Sequence, residues 1–156
     1  MENTHRLRLA PIDQHNWRAA LAVEVAPSQL GFVAGYQPVA LVILAKAYVR
    51  SGDLDWEPLV IMAGASAVAV VALAHSRRHT EMLHLAVDAV WQGHGVGQAS
   101  VDLLVAHVIK TRPDAENVQL TVHPGNERAH RLYQSRGFLP NGGMRDGEPV
   151  WSLRLR

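Results

Sequence analysis

A chain of 156 residues, 48% hydrophobic and 19% charged, has the apolar content to build a cored domain and too much of it for a disordered one. Its formal net charge of +1 comes from scattered arginines and acids, so there is no basic face for nucleic acid. It has no cysteine, which excludes disulfides, thiolate metal sites and a cysteine nucleophile.

In chain order, the opening "MENTHRLRLAP" lacks the apolar core of a signal peptide. The longest apolar runs, 39–45 and 67–74, fall far short of the roughly 20 residues of a membrane helix. A cytoplasmic protein that does not associate with membranes is expected. Residues 7–12 alternate apolar and charged side chains and predict a first strand. Asn16 is placed to cap a short helix carrying Trp17, Leu21 and Val25, and Pro27 ends it. Residues 39–49 are apolar almost all round and predict a buried helix behind Pro38. Two apolar runs around Gly64-Ala65-Ser66 predict a hairpin, and 82–88 another strand after the polar "SRRHTE". Val101, Leu104, Val105 and Val108 recur at helical spacing up to Pro113. A short strand at 118–122 precedes a helix capped by Asn126, with the stripe Ala129, Leu132 and Tyr133 and a C′ glycine at Gly137. "VWSLRLR" closes the chain as an alternating strand. The whole reads as one α+β domain over 1–156.

Between the strand at 82–88 and the helix that follows lies "QGHGVGQ", residues 92–98. Three phosphate-binding readings compete. A mononucleotide P-loop needs Lys-Ser or Lys-Thr after its last glycine, and Gln98-Ala99 is neither. A dinucleotide fingerprint needs its third glycine where Gln98 stands. The third reading is a nest of main-chain amides at a helix start, able to hold a pyrophosphate, with any side chain at Gly95 or Gly97 crowding the ligand. A plain glycine-rich turn remains the alternative on this loop alone.

"QGHGVG" matches the Gln/Arg-x-x-Gly-x-Gly/Ala signature of GNAT acetyltransferases, preceded as in that family by a strand, "LHLAV". "NERAHRLYQSRGF" resembles the second family motif through Asn126, Ala129, Tyr133, Gly137 and Phe138. A looser likeness of "NWRAALAVEVAPSQLGFVAG" points to the bacterial spermine/spermidine branch, although Ser28 stands where that branch carries Glu. The resemblance implies a GNAT fold: a mixed central sheet of about six to seven strands with helices on both faces. It implies acetyl transfer from acetyl-CoA to a primary amine of a small molecule, in a ternary complex. A protein N-terminal or lysine acetyltransferase and an idle acyl-CoA sensor are the alternatives, and the resemblance also allows a homodimer.

The same resemblance assigns roles. Gln92, Gly93, His94, Gly95, Val96, Gly97 and Gln98 would hold the pyrophosphate of coenzyme A through main-chain amides. Leu85, Ala86 and Val87 would pair their backbone with the pantetheine arm, an amide near Val87 serving the oxyanion. Asn126 would bond the cofactor near its thiol end or simply cap its helix. Tyr133 would bind the cofactor and give a proton to the leaving thiolate, a phenol of pKa ~10 facing a thiol of ~8.5; packing is its other reading. His84 is the candidate base, with His123, Glu24 and Glu81 as competitors. His75 and His79 have no carboxylate pattern beside them, and no metal is expected. A polyamine acceptor would call for clustered carboxylates, and Asp13, Glu24, Asp53, Asp55 and Glu57 form no cluster at helical spacing.

Overall fold

The computed structural model describes residues 6–156; the first five residues, which entered the reading of the N-terminus, lie outside that description. Its centre is a seven-stranded sheet in the order β1-β2-β3-β4-β5-β7-β6. The strands are β1 Leu7–Pro11, β2 Asp55–Ala63, β3 Ser66–His75, β4 His79–Val87, β5 Asn117–Thr121, β6 Leu139–Arg145 and β7 Glu148–Arg154. Only β4 and β5 run parallel; every other neighbouring pair is antiparallel. The helices are α1 Trp17–Leu21, α2 Leu30–Val33, α3 Val39–Val49, α4 Val96–Thr111 and α5 Glu127–Ser135.

Period-two alternation sorts β2 and β3 into two cores. Val60, Val70 and Ala72 face α1 and α3, where they meet Ala20, Val39, Ala40 and Ile43. Leu59, Ile61, Val71 and Leu73 face the other way, onto Val101, Leu104 and Val108 of α4, and Ala129 and Leu132 of α5 join that side. Both faces of these strands are covered, which explains why they read as continuous apolar runs. No helix among the described residues is long and apolar enough to cross a membrane.

Four local expectations need correction. Asn16 does not cap α1 with its side chain: its Oδ1 accepts from the Asp13 amide and its Nδ2 donates to the Pro11 carbonyl. Asp13 organises the start instead, its Oδ1 accepting from the amides of His15 and Asn16, and the helix ends at Leu21, short of Val25. Helix α3 is buried on one side only. Leu41, Tyr48 and Val49 are 52%, 90% and 70% exposed, because one sheet covers one stripe of a helix and nothing described lies over the other. Strand β4 begins at His79, its first residues aligned with Asn117 and Val118 of β5. Strand β6 was not anticipated at all.

Candidate active site

The site begins with a fault in β4. Val70 of β3 pairs with Ala86 and Ala72 pairs with Leu83, so His84 and Leu85 together stand opposite one residue. This bulge puts His84 at φ +58°, a conformation uncommon for a side-chain-bearing residue, though histidine is among those that tolerate it. The strand bends there, and its pairing with β5 ends: only His79, Thr80 and Glu81 have partners on that side. Beyond them the edge of β4 parts from β5. The gap is the floor of a cleft of about 720 Å³, lined by Met82, His84, Leu85 and Val87 on one wall and Leu120 through His123 on the other.

Two hydrogen bonds hold the strained histidine. His84 Nδ1 lies 2.7 Å from the Val33 carbonyl, so it carries the proton and donates. His84 Nε2 lies 2.8 Å from Lys46 Nζ and accepts from that ammonium. Burial pushes the imidazole below its ordinary value, the Val33 carbonyl works in the opposite direction, and the Lys46 charge adds to the lowering. His84 is thus a neutral ring with both nitrogens engaged. In this orientation it lines the cleft with neither nitrogen lone pair free.

The glycine loop closes one end of the cleft. Gly93 and Gly95 have φ of +80° and +78°, and Gly95 is the N-cap of α4. Nothing lies within 4 Å of a Cβ built at either. A Cβ at Gly97 would instead come within 3.4 Å of Leu132, so Gly97, which also lines the cleft, lets α5 approach α4. The first turn of α4 has no acidic residue to compete for its amides. Gln92 braces the loop. Its amide exchanges two hydrogen bonds with Gln29, donates to the Val87 carbonyl and accepts from Arg128 Nη1.

Helix α5 supplies the remaining wall. Asn126 Oδ1 accepts from the Ala129 amide at 3.2 Å, capping the helix, while the residue also lines the cleft. Tyr133 meets Phe138 edge-on, ring centroids 5.7 Å apart. No described side chain or main-chain group hydrogen-bonds its hydroxyl, and burial raises the phenol well above its ordinary range.

Some anticipated residues point elsewhere. The Ala86 side chain is buried in the core under α3, leaving only its main chain for a ligand. His94 is exposed and outside the cleft lining. Glu81 pairs with Arg145 at 3.0 Å, and Glu24 is exposed and not part of the cleft lining. His123 does line it, beside Phe32 at 4.9 Å between ring centroids, with Nδ1 accepting from the Gly125 amide. That tautomer carries its proton on Nε2 and offers no lone pair there. Phe32, Val33, Gln29, Arg128 and Arg131 line the cleft without having been anticipated. Their contributions come from α2 with its N-cap Gln29 and from the outer face of α5, where sequence spacing shows amphipathicity and not direction. Among the described residues, no group of three or more metal-ligating side chains is placed to hold a metal ion.

The sequence profile of the acetyltransferase (GNAT) family matches residues 30–138. The chain belongs to the GNAT acetyltransferase family. No curated protein matches it by sequence. Among solved GNAT structures it is similar to spermidine N-acetyltransferase from Vibrio cholerae, solved with CoA and spermine: 14% identity, 96% of this chain and 95% of that one, TM-score 0.73. It is similar to the ribosomal-protein-S18-alanine N-acetyltransferase of Escherichia coli at 16% identity, 96% and 94% coverage and TM-score 0.69. It is also similar to the PaiA N-acetyltransferase of Thermoplasma acidophilum in complex with coenzyme A, at 14% identity, 96% and 99% coverage and TM-score 0.67. The seven-stranded mixed sheet with helices on both faces is the GNAT fold.

Proposed function

We propose that this GNAT protein transfers an acetyl group from acetyl-CoA to the primary amine of a small molecule, the amine attacking directly with both substrates bound. The observation that carries this reading is the one-sided opening of the sheet at β4, set beside the amide-lined start of α4. An extended amide-bearing arm can add to an unpaired strand edge as another strand would. A pyrophosphate suits the α4 terminus, where Gly93 and Gly95 leave open space, no acidic side chain stands in the first turn, and Arg128 and Arg131 line the cleft nearby.

Acetyl-CoA supplies an activated acetyl group and leaves as a thiol after that group has bonded to the amine nitrogen. The rest is the work of this chain. Gly93 to Gln98 bind and orient through main-chain N–H groups. The main chain of Leu85, Ala86 and Val87 aligns the arm, and an amide near Val87 faces the carbonyl oxygen as negative charge develops on it. The Tyr133 hydroxyl gives its proton to the departing sulfur and recovers one from solvent. With His84 held between Val33 and Lys46, the amine enters as the free base and its surplus proton leaves to water.

The test is thiol release from acetyl-CoA in the presence of a panel of primary amines, with the acetylated product identified by mass. Release with no amine above plain hydrolysis, while coenzyme A still binds by calorimetry, would leave an acyl-CoA-binding protein and overturn the reading.

A further inference from the structure

Most of the cleft lining belongs to β4, to residues 92–98 and to the run from β5 into α5, and the cofactor reading above draws on those walls. Four lining residues come from elsewhere: Val25, Gln29, Phe32 and Val33, on the segment that leads from α1 through α2. This is the wall left for the acceptor. Helix α2 is a single turn of four residues, none of them buried, and is too short to hold its place by itself.

Side-chain ties hold it instead. At its far end the Val33 carbonyl accepts from His84 Nδ1 at 2.7 Å, and the Phe32 ring lies 4.9 Å from that of His123. At its start stands Gln29, joined to Gln92 by a reciprocal pair of hydrogen bonds. Gln29 Nε2 donates to Gln92 Oε1 at 3.0 Å, and Gln92 Nε2 donates to Gln29 Oε1 at 2.8 Å. Gln92 Nε2 also donates to the Val87 carbonyl, and Gln92 Oε1 also accepts from Arg128, both at 2.9 Å. Both amide hydrogens and both oxygen lone pairs of Gln92 are thereby used, which fixes the way its side chain faces. Gln29 Oε1 accepts in addition from the Ala26 amide at 3.2 Å, closing the turn ahead of α2. Two residues 63 apart in sequence thus join the glycine loop to the α2 wall.

We infer that Gln29 is a positioning residue for acetyl transfer: through Gln92 it fixes the Phe32–Val33 wall, against which the acceptor lies, to the cofactor loop. This rests on the acetyl-transfer reading above. A pyrophosphate on the loop amides restricts the loop, and the reciprocal amide pair passes that restriction to α2. The coupling is mutual, so an acceptor held by α2 strengthens cofactor binding by the same factor.

The experiment measures amide exchange by mass spectrometry, with and without saturating coenzyme A, in the wild type, Gln29→Met and Gln92→Leu, with coenzyme A affinity from calorimetry. In the wild type, coenzyme A should slow exchange by about fivefold or more both in residues 92–98 and in residues 26–34. Gln29→Met keeps the length of the side chain and loses its amide. It should abolish the protection of 26–34 while loop protection and coenzyme A affinity stay within about threefold of wild type, because Gln92 retains Val87 and Arg128. Gln92→Leu leaves the bond from Gln29 to Ala26 in place and should abolish the protection of 26–34 as well. With benzylamine, putrescine and phenylalaninamide as acceptors, Gln29→Met should raise the KM of the amine turned over fastest by about tenfold and leave that of acetyl-CoA unchanged. Equal protection of 26–34 in the wild type and Gln29→Met overturns the inference, and so does a wild type in which coenzyme A protects the loop alone. Protection that survives in Gln92→Leu assigns the role to the Ala26 turn and overturns it too. If Gln29→Met fails to fold, Gln29→Ala makes the same comparison. Transfer to no amine despite normal coenzyme A binding overturns the transfer reading, while the exchange measurements still decide the coupling.

Discussion

Gly97 lies against Leu132: a methyl group at Gly97 would stand 3.4 Å from Leu132 Cδ2 and 3.7 Å from Cδ1. The smallest residue on α4 therefore stands where α5 packs against it. Gly97→Ala should stay within ~1 kcal/mol of wild type, because the gain in helix propensity offsets a tight contact. Gly97→Val should destabilise by ~1–3 kcal/mol through overpacking. Urea denaturation measures both. If Gly97→Ala instead weakens coenzyme A binding without loss of stability, the glycine serves the ligand after all.

Gly95 should behave in the opposite way. It has open space around a Cβ but a φ of +78°, so Gly95→Leu carries a backbone cost of ~1–2 kcal/mol and projects into the cleft. Gly64, in the β2–β3 turn with φ of +60° and equally open surroundings, supplies the control. Both leucine variants should lose similar stability, while only the Gly95 variant loses coenzyme A affinity, by tenfold or more in calorimetry. Equal affinity in the two would remove the pyrophosphate from this loop.

Tyr133→Phe removes a hydroxyl with no protein partner and keeps the ring against Phe138. Stability should hardly change, and kcat should fall by ~10²–10⁴ if the chemical step is limiting. Burial raises the phenol above its ordinary 10.0, so it remains protonated through the alkaline range. The pH profile of kcat should accordingly show no descending limb from tyrosine ionisation between pH 8 and 10. A full-rate Phe variant would make Tyr133 a packing residue.

At the far end of the sheet, Glu57 joins His75 at 2.8 Å and His107 at 2.6 Å, and His75 also meets Thr80. The hydrogen bond from His75 is the main cause that lowers the Glu57 carboxyl below its ordinary 4.5; burial opposes it and His107 reinforces it. A depressed carboxylate stabilises the fold above its unfolded value and loses that contribution as the pH falls through the folded one. Glu57→Gln should cost ~1.5–3 kcal/mol at pH 7, and the gap between variant and wild type should close below pH 4.5. A gap that does not narrow at all as the pH falls below 4.5 would mean the loss is one of shape and not of charge.

Much of this architecture could be read before any coordinates. The glycines at 93, 95 and 97, the Asn126 cap and the stripe through Ala129, Leu132 and Tyr133 are local signals, each set by a turn or a helix period, and they led directly to the family. Strand β6 escaped because Pro140, Asn141, Gly142 and Gly143 read as loop, yet the signal was present: Asp146 and Gly147, with φ of +50° and +79°, form a two-residue hairpin turn. The orientation of His84 could not be read. Alternation places it on one face, but the bulge resets the register, and its partners Val33 and Lys46 are 51 and 38 residues away in sequence. Long-range polar pairing of that kind leaves no local pattern. The outward face of α3 escaped for a related reason, since composition records how apolar a helix is and not what covers it.

The sheet crosses its own midline on three residue pairs, His79 with Asn117, Thr80 with Val118 and Glu81 with Gln119. Mechanically it is two half-sheets joined at one end, like the arms of a tuning fork. Past that joint the arms are linked by helix packing and by side-chain contacts such as Phe32 with His123 and Arg128 with Gln92. An extended ligand lying along β4 stiffens the fork, and its binding free energy adds to the resistance against opening in proportion to RT ln(1 + [L]/Kd). Amide exchange by local opening in β4 beyond Glu81 and in β5 beyond Gln119 should therefore be the part of the sheet that gains most protection from cofactor, while β2 and β3, sealed between two cores, already exchange slowly without it.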